Sequence, residues 1–330
     1  MAATERDIDI LVVGEINPDI VVTDANPAPV FGQVERAVRS ITMTVGSSSA
    51  IFACGAARLG LRVAFHGVVG DDPFGRFMLE ELQAREVDVA ACVVDRDLAT
   101  GATVILTDGS DRAILTAIGA TAALDVGRAP GGLVERARHL HSGGYYLYGP
   151  ATRAGLAGLF ERARASGVTT SFDTNWDPDE AWDGGVLELL RNTDVFLPNA
   201  EEIRRIARND DAEAAARSLA AIAGEGRADG GPIIVVKQGP SGAFAVTVAG
   251  EVVRVSALTV ETRDATGAGD AFGAGFLRAW LDGGSLPESL ELGAVCGGLS
   301  TRAVGGVDGQ PTLAEARQAL ASWNRTSRPP

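Results

Sequence analysis

Six short, nearly continuous apolar runs alternate with stretches of helical periodicity, and that rhythm limits the folds open to this chain. The runs at Ile8–Val13, residues 62–69, 139–148, 168–173 and 194–197, and Ile233–Lys237 read as strands buried on both faces. Residues 50–59, 74–85, 153–165, 179–191 and 212–223 carry helical spacing between several of them. Strands without a polar face need cover on both sides, and crossover helices supply it. The expectation is an α/β fold, an αβα sandwich around a mostly parallel central sheet. Two segments break the rhythm. Residues 17–45 and 92–118 lack helical spacing, and Ala102-Thr103-Val104-Ile105-Leu106-Thr107 alternates in the manner of a half-buried strand. They suit a small β-sheet folded out of the main body as a lid. The length, 330 residues, is ample for one such unit spanning 1–330.

Composition excludes several classes of function. A net charge of −14 opposes binding to nucleic acid or to an anionic membrane. The three cysteines, Cys54, Cys92 and Cys296, are far apart in apolar surroundings and read as reduced thiols of a cytoplasmic protein. The polar, acidic start is no signal peptide, and no apolar run approaches the ~20 residues of a membrane span. His139 and His141 have no nearby cysteine or carboxylate in the sequence and read as packing residues rather than metal ligands.

The stretch Asp264-Ala265-Thr266-Gly267-Ala268-Gly269-Asp270-Ala271-Phe272 carries the most chemistry. It lies between a strand-like run and a helix-like one. Two glycines flanking a small residue leave backbone N–H groups free to face an anion, and the helix start favours negative charge there. Asp270 has the wrong sign for plain phosphate binding. It makes sense beside a phosphate as the acceptor of a proton from an attacking hydroxyl. The same letters also fit a packing turn or a dinucleotide turn. The latter wants glycine where Phe272 stands, and no Gly-Lys-Ser/Thr of a P-loop occurs.

DATGAGDAFGAGFL resembles the C-terminal signature of the ribokinase-like (PfkB) carbohydrate kinases, with Ala265 in place of the usual threonine. The resemblance implies an anion hole at Gly267, Ala268 and Gly269 and a catalytic base at Asp270. It continues through Gly14-Glu15-Ile16-Asn17-Pro18-Asp19, where Asn17 and Asp19 would bind substrate hydroxyls; the alternative for Asp19 is a turn residue after Pro18. Gly46-Ser47-Ser48-Ser49-Ala50-Ile51 is similar to the N-terminal signature, placing Gly46, Ser47 and Ile51 at the substrate. Ser47 replaces a glycine and Ile51 an asparagine, so the serine run either supplies replacement hydroxyls or caps the following helix.

By the same resemblance, Asn199 and Glu202 belong to the nucleotide element, with Glu202 organising Mg2+ through water. Their alternative is a helix cap with first-turn acids. Lys237, the only lysine of the chain, opens a loop with Gly239 and Gly242 that resembles the nucleotide loop. Its ammonium either meets phosphate or extends to solvent. Gly306 would line the adenine side, and Asp264 would help hold a monovalent cation such as K+. The resemblance therefore implies an ATP- and Mg2+-using kinase acting on a hydroxymethyl group of a sugar, with a homodimer formed through the lid. A nucleoside kinase of the same fold and a non-catalytic nucleotide-binding regulator are the competing readings.

Overall fold

The structure, a computed structural model, describes residues 6–108, 111–129, 132–228 and 230–327. Nine strands form the central sheet, in the spatial order Val252–Val255, Ala243–Val246, Ile233–Lys237, Val195–Phe196, Thr169–Phe172, Ala137–Ser142, Ile8–Val13, Val63–His66 and Val87–Asp88. All neighbours pair in parallel except the first three strands in this order, which form an antiparallel edge. Within Ile8–Val13, Ile10 and Val12 enter one core while Leu11 and Val13 enter the other, so the strand is apolar throughout. One face is covered by helices that include Pro150–Ala165 and Ala212–Gly224. The other carries Ser48–Arg58, Pro73–Ala84, Ala268–Leu281 and Leu286–Ser300. The expected αβα sandwich is thus observed.

His139 and His141 lie inside it, sharing the Ser171 hydroxyl at 2.6 and 2.8 Å, and His141 stacks on Phe52. Burial pushes the His139 imidazole down to about 3, so it is neutral, as expected of a packing residue.

Three expected elements differ. The strand read over 62–69 divides into Val63–His66 of the central sheet and Val68–Gly70 outside it. The helix read over 179–191 shrinks to Val186–Leu190. Glu180, Trp182, Gly184 and Gly185 before it all have positive φ, a backbone that cannot continue a right-handed helix. The long run 139–148 stops as a strand at Ser142 and turns through a short 3₁₀ helix, Tyr145–Leu147.

A separate four-stranded sheet, in the order Ser40–Val45, Pro18–Thr23, Ala102–Thr107, Arg112–Ala117, stands apart from the central one. This is the lid. Val93–Asp95 does not join it but pairs with Val68–Gly70. The register puts Asp19, Thr44, Thr103 and Thr116 on one lid face with Arg112. Ile20, Val22, Ile41, Met43, Val104, Leu106, Ala113 and Leu115 share the opposite face.

Candidate active site

The helix Ala268–Leu281 begins at Gly267, whose φ of +72° is left-handed. A methyl group there would meet Gly306 O at 2.7 Å and Ile51 Cγ2 at 2.8 Å, so glycine is required on both counts. Gly267, Ala268 and Gly269 line a cavity of about 740 Å³ together with Asp270, Asn199, Glu202, Lys237, Gly239 and Gly242. The Ala268 N–H donates to Ala265 O at 3.2 Å, while no described residue accepts from the Gly267 and Gly269 N–H groups. Eight of the residues expected for catalysis and nucleotide binding, plus the carboxylate expected at the ion, therefore meet at one place. Ala294, Gly297, Gly298 and Thr301 of the helix Leu286–Ser300 and its C-cap form another wall.

Electrostatics here departs from the simplest expectation. The helix start alone would keep Asp270 ionised. Burial, reinforced by the Asp173 carboxylate, instead pushes its pKa up to about 8, against the pull of Lys237 and of the Ser48 hydroxyl that donates to it. Lys237 does not extend to solvent. Its ammonium is bonded to Asp173, with both side chains about nine-tenths buried, and the Glu202 and Asp270 carboxylates raise its pKa further against desolvation. In this structure it is a counter-charge among three carboxylates rather than a free phosphate ligand.

For Asn199 and Glu202 the helix-cap reading is observed, and both also line the cavity. The Asn199 side chain caps Ala200–Ala207 through the amides of Glu201 and Glu202, while the Glu202 carboxylate accepts from Asn199 N at 2.8 Å and Asn199 Nδ2 at 2.6 Å. Thr174 Oγ1 adds a third contact at 3.3 Å, and burial with Asp173 nearby raises the Glu202 pKa to about 7. With its oxygens so engaged, Glu202 fits an ion held through water. Among the described residues no group of three or more His, Cys, Asp or Glu side chains is arranged to hold a metal outright.

On the lid side, Asp19 is buried, and no described residue donates a hydrogen bond to its carboxylate. A methyl group on Gly46 would overlap Asp19 Oδ1, so glycine there makes room for the carboxylate. Asn17 accepts from Thr121 at 3.1 Å, and its backbone N–H donates to Ser47 Oγ at 2.8 Å.

Two residues of the expected site pack against the glycine turn. Ile51 is buried and lies close to Gly267 and Gly306. Gly306 likewise buttresses Gly267 and lies outside the residues lining the cavity. Asp264 ties two loops together, accepting from Thr266 N and Oγ1 and from Gly305 N at 2.7–2.9 Å.

Sequence reasoning missed Asp173, Glu15 and Arg112. Asp173 merely ends an apolar run and Glu15 sits inside a motif quoted for other residues. Arg112 had a signal, being a cation in an otherwise uncharged strand, Arg112–Ala117. It donates to Thr266 Oγ1 at 3.0 Å, beside the glycine turn, and lines the cavity without a carboxylate partner among the described residues.

A family model described as pfkB family carbohydrate kinase matches residues 7–313. The chain is 29% identical to fructokinase-2 of Zea mays over 84% of its length and 86% of the relative. It is 26% identical to 5-dehydro-2-deoxygluconokinase of Geobacillus thermodenitrificans, covering 96% and 94% of the two chains. The solved structure of a putative ribokinase II from E. coli in complex with ATP and Mg2+ superimposes with a TM-score of 0.80 at 24% identity, over 96% of this chain and 99% of that one. A motif-level resemblance, the sandwich with its lid and a family match over nearly the whole length agree: the chain belongs to the pfkB family of carbohydrate kinases.

Proposed function

We propose that this ATP-dependent carbohydrate kinase phosphorylates a hydroxymethyl group of a small polar sugar, with Asp270 as the base and the Gly267–Gly269 amides as the anion hole. One observation carries the reading. Asp270 is held at the first turn behind the glycine turn, in the cavity that also holds Asn199, Glu202 and Lys237, with a pKa of about 8. A base works best when its pKa lies near the working pH. Asp270 takes the proton of the sugar hydroxyl as its oxygen bonds the γ-phosphorus and the bond to the bridging oxygen breaks, releasing ADP. The amides of the glycine turn, foremost the unengaged Gly267 and Gly269 N–H groups, and Arg112 from the lid would stabilise the charge that builds on the transferring group.

The residues present fit ATP with Mg2+: Asn199 and Glu202 would hold water around the ion, which would offset phosphate charge. Asp264 retains acceptor capacity beyond its three bonds, which keeps a monovalent cation within the proposal. Asp19 and Asn17 would bind the sugar hydroxyls. The lid strands contain no Phe, Tyr or Trp, and Phe31 is 96% exposed, which favours a sugar over a nucleoside needing a stacking partner. The fructokinase and 5-dehydro-2-deoxygluconokinase names of the relatives point the same way.

We further read residues 1–330 as one cytoplasmic working unit that pairs with a second copy through the lid. The lid's second face, uncharged and apolar, supports this: Ile41 is 66% exposed and Leu115 63%. The three cysteines are free thiols, in keeping with a reducing compartment.

The test is ADP release over a panel of pentoses, hexoses, sugar acids, sugar phosphates and nucleosides, repeated with Asp270→Asn. The variant should bind ATP and sugar about as well, while kcat falls by roughly 10²–10⁴. A variant that kept most of its kcat would show that another group is the base.

A further inference from the structure

The three consecutive serines, Ser47, Ser48 and Ser49, have three different partners, and none caps the helix Ser48–Arg58 with its side chain in the usual way. Ser47, the N-cap residue, makes no side-chain cap bond; its φ is +67° and its hydroxyl accepts from Asn17 N. Ser49 is fixed from below. Its hydroxyl donates to Glu15 Oε2 at 2.7 Å and accepts from Gly143 N at 3.1 Å, and its amide donates to Glu15 Oε1 at 3.2 Å. Glu15 is fully buried and takes a further bond from the Tyr148 hydroxyl at 3.0 Å. Ser48 stands between these two anchored neighbours, and its hydroxyl donates to Asp270 Oδ1 across 222 positions of sequence. Asp270 Oδ2 accepts no hydrogen bond from any described residue.

Resting on the reading of Asp270 as the base, we infer that Ser48 is a positioning residue for phosphoryl transfer. Its hydroxyl, held by the Glu15–Ser49 buttress, grips one oxygen of Asp270 and leaves the other free to take the proton of the substrate. A donor to a carboxylate favours the ionised form. Ser48 therefore does two things at once: it aims the base and keeps it a base. The charged groups around Asp270 make that help necessary. Asp173, after the strand Thr169–Phe172, and Glu15, after Ile8–Val13, both oppose its ionisation, while Lys237, ending Ile233–Lys237, favours it. The Lys237 charge is shared with Asp173 and Glu202. From the lid, Arg112 lines the same cavity, and its charge also acts on Asp19. Ser48 supplies the one hydrogen bond that Asp270 receives from the described side chains.

The test is the pH dependence of kcat/KM for Ser48→Ala, Ser48→Thr and Ser48→Cys beside the unaltered enzyme. The wild-type acid limb should lie near pH 8, and Ser48→Ala should move it toward alkali by about one unit or more. At pH 7 its kcat/KM should be lower by about tenfold, while ADP binding by calorimetry stays within about twofold. Ser48→Thr keeps the hydroxyl and should restore the limb. Ser48→Cys, with a weak donor, should fall between, and carries the comparison with Ser48→Thr should Ser48→Ala fail to fold. An acid limb that stays in place in both Ser48→Ala and Ser48→Cys overturns the inference, as does a rise in sugar KM with no movement of the limb. If Asp270→Asn is inactive while the limb stays put, only the role of Ser48 falls. If Asp270→Asn keeps its kcat, both readings fall together.

Discussion

At the scale of residues, Asp19, the proposed sugar ligand, is held at the expense of stability. Its carboxylate is buried against Gly46 and receives no hydrogen bond from the described residues, and burial, only partly offset by Arg112, pushes its pKa up to about 7. Since the folded value lies above the unfolded one, the stability from the neutral form is full below about pH 4. It is lost as pH rises through about 7. At pH 8 the folded chain keeps a buried charge without a partner, which a sugar with two hydroxyls would satisfy. Asp19→Asn removes the charge. Differential scanning at pH 8 should then show a Tm higher by about 2–4 °C, with the gain shrinking toward pH 4. Sugar affinity, read by calorimetry, should fall by about tenfold to a hundredfold, because a charged acceptor is lost. An unchanged sugar affinity would remove Asp19 from the substrate site.

At the scale of elements, what the sequence revealed depended on how local each signal was. The strands Ile8–Val13 and Ile233–Lys237 were legible because apolar runs of that length between helical stretches have few other uses. The glycine turn was legible because its geometry is written in adjacent residues. The pairing of Lys237 with Asp173 was not, since the two are 64 positions apart and each reads alone as the polar end of an apolar strand. The contacts of Ile51 were illegible for a related reason: its position in the motif pointed to the substrate and said nothing of Gly267 and Gly306, which it meets far along the chain. The lid strand Arg112–Ala117 is the instructive case. Every residue in it is exposed, so burial gave no pattern, yet Arg112 brings to the cavity the cation that no described carboxylate neutralises. Exposure weakens such a charge in the open site, and its effect should grow where lid and nucleotide exclude water. Arg112→Ala should lower kcat by about tenfold to a hundredfold with a smaller change in sugar KM, and Arg112→Lys should recover part of the loss. Steady-state kinetics decides it, and a pure KM effect would place Arg112 on the sugar instead.

At the scale of the whole molecule, the lid has two faces with opposite chemistry. Asp19, Arg112 and the threonines lie on one, while Ile20, Val22, Ile41, Met43, Val104, Leu106, Ala113 and Leu115 lie on the other. A four-stranded sheet with no core on its second face leaves that face in water unless something covers it. The chain carries a net charge of −14, yet this face has no charged residue to resist contact with a second copy. A two-fold axis lets one apolar patch cover its own duplicate, so no different partner surface is needed. Pairing there would also steady the sheet from which Asp19 and Arg112 reach the site, linking assembly to activity. Leu115→Glu places a charge on the edge strand of the patch, at a residue already 63% exposed, so folding of the single chain should survive. Light scattering should show the wild type at twice the mass of one chain and the variant at one, with the pH profile of kcat retained and sugar KM raised. A wild type that runs as a single chain at micromolar concentration would rule the dimer out, and the lid would then have to carry its apolar face in water.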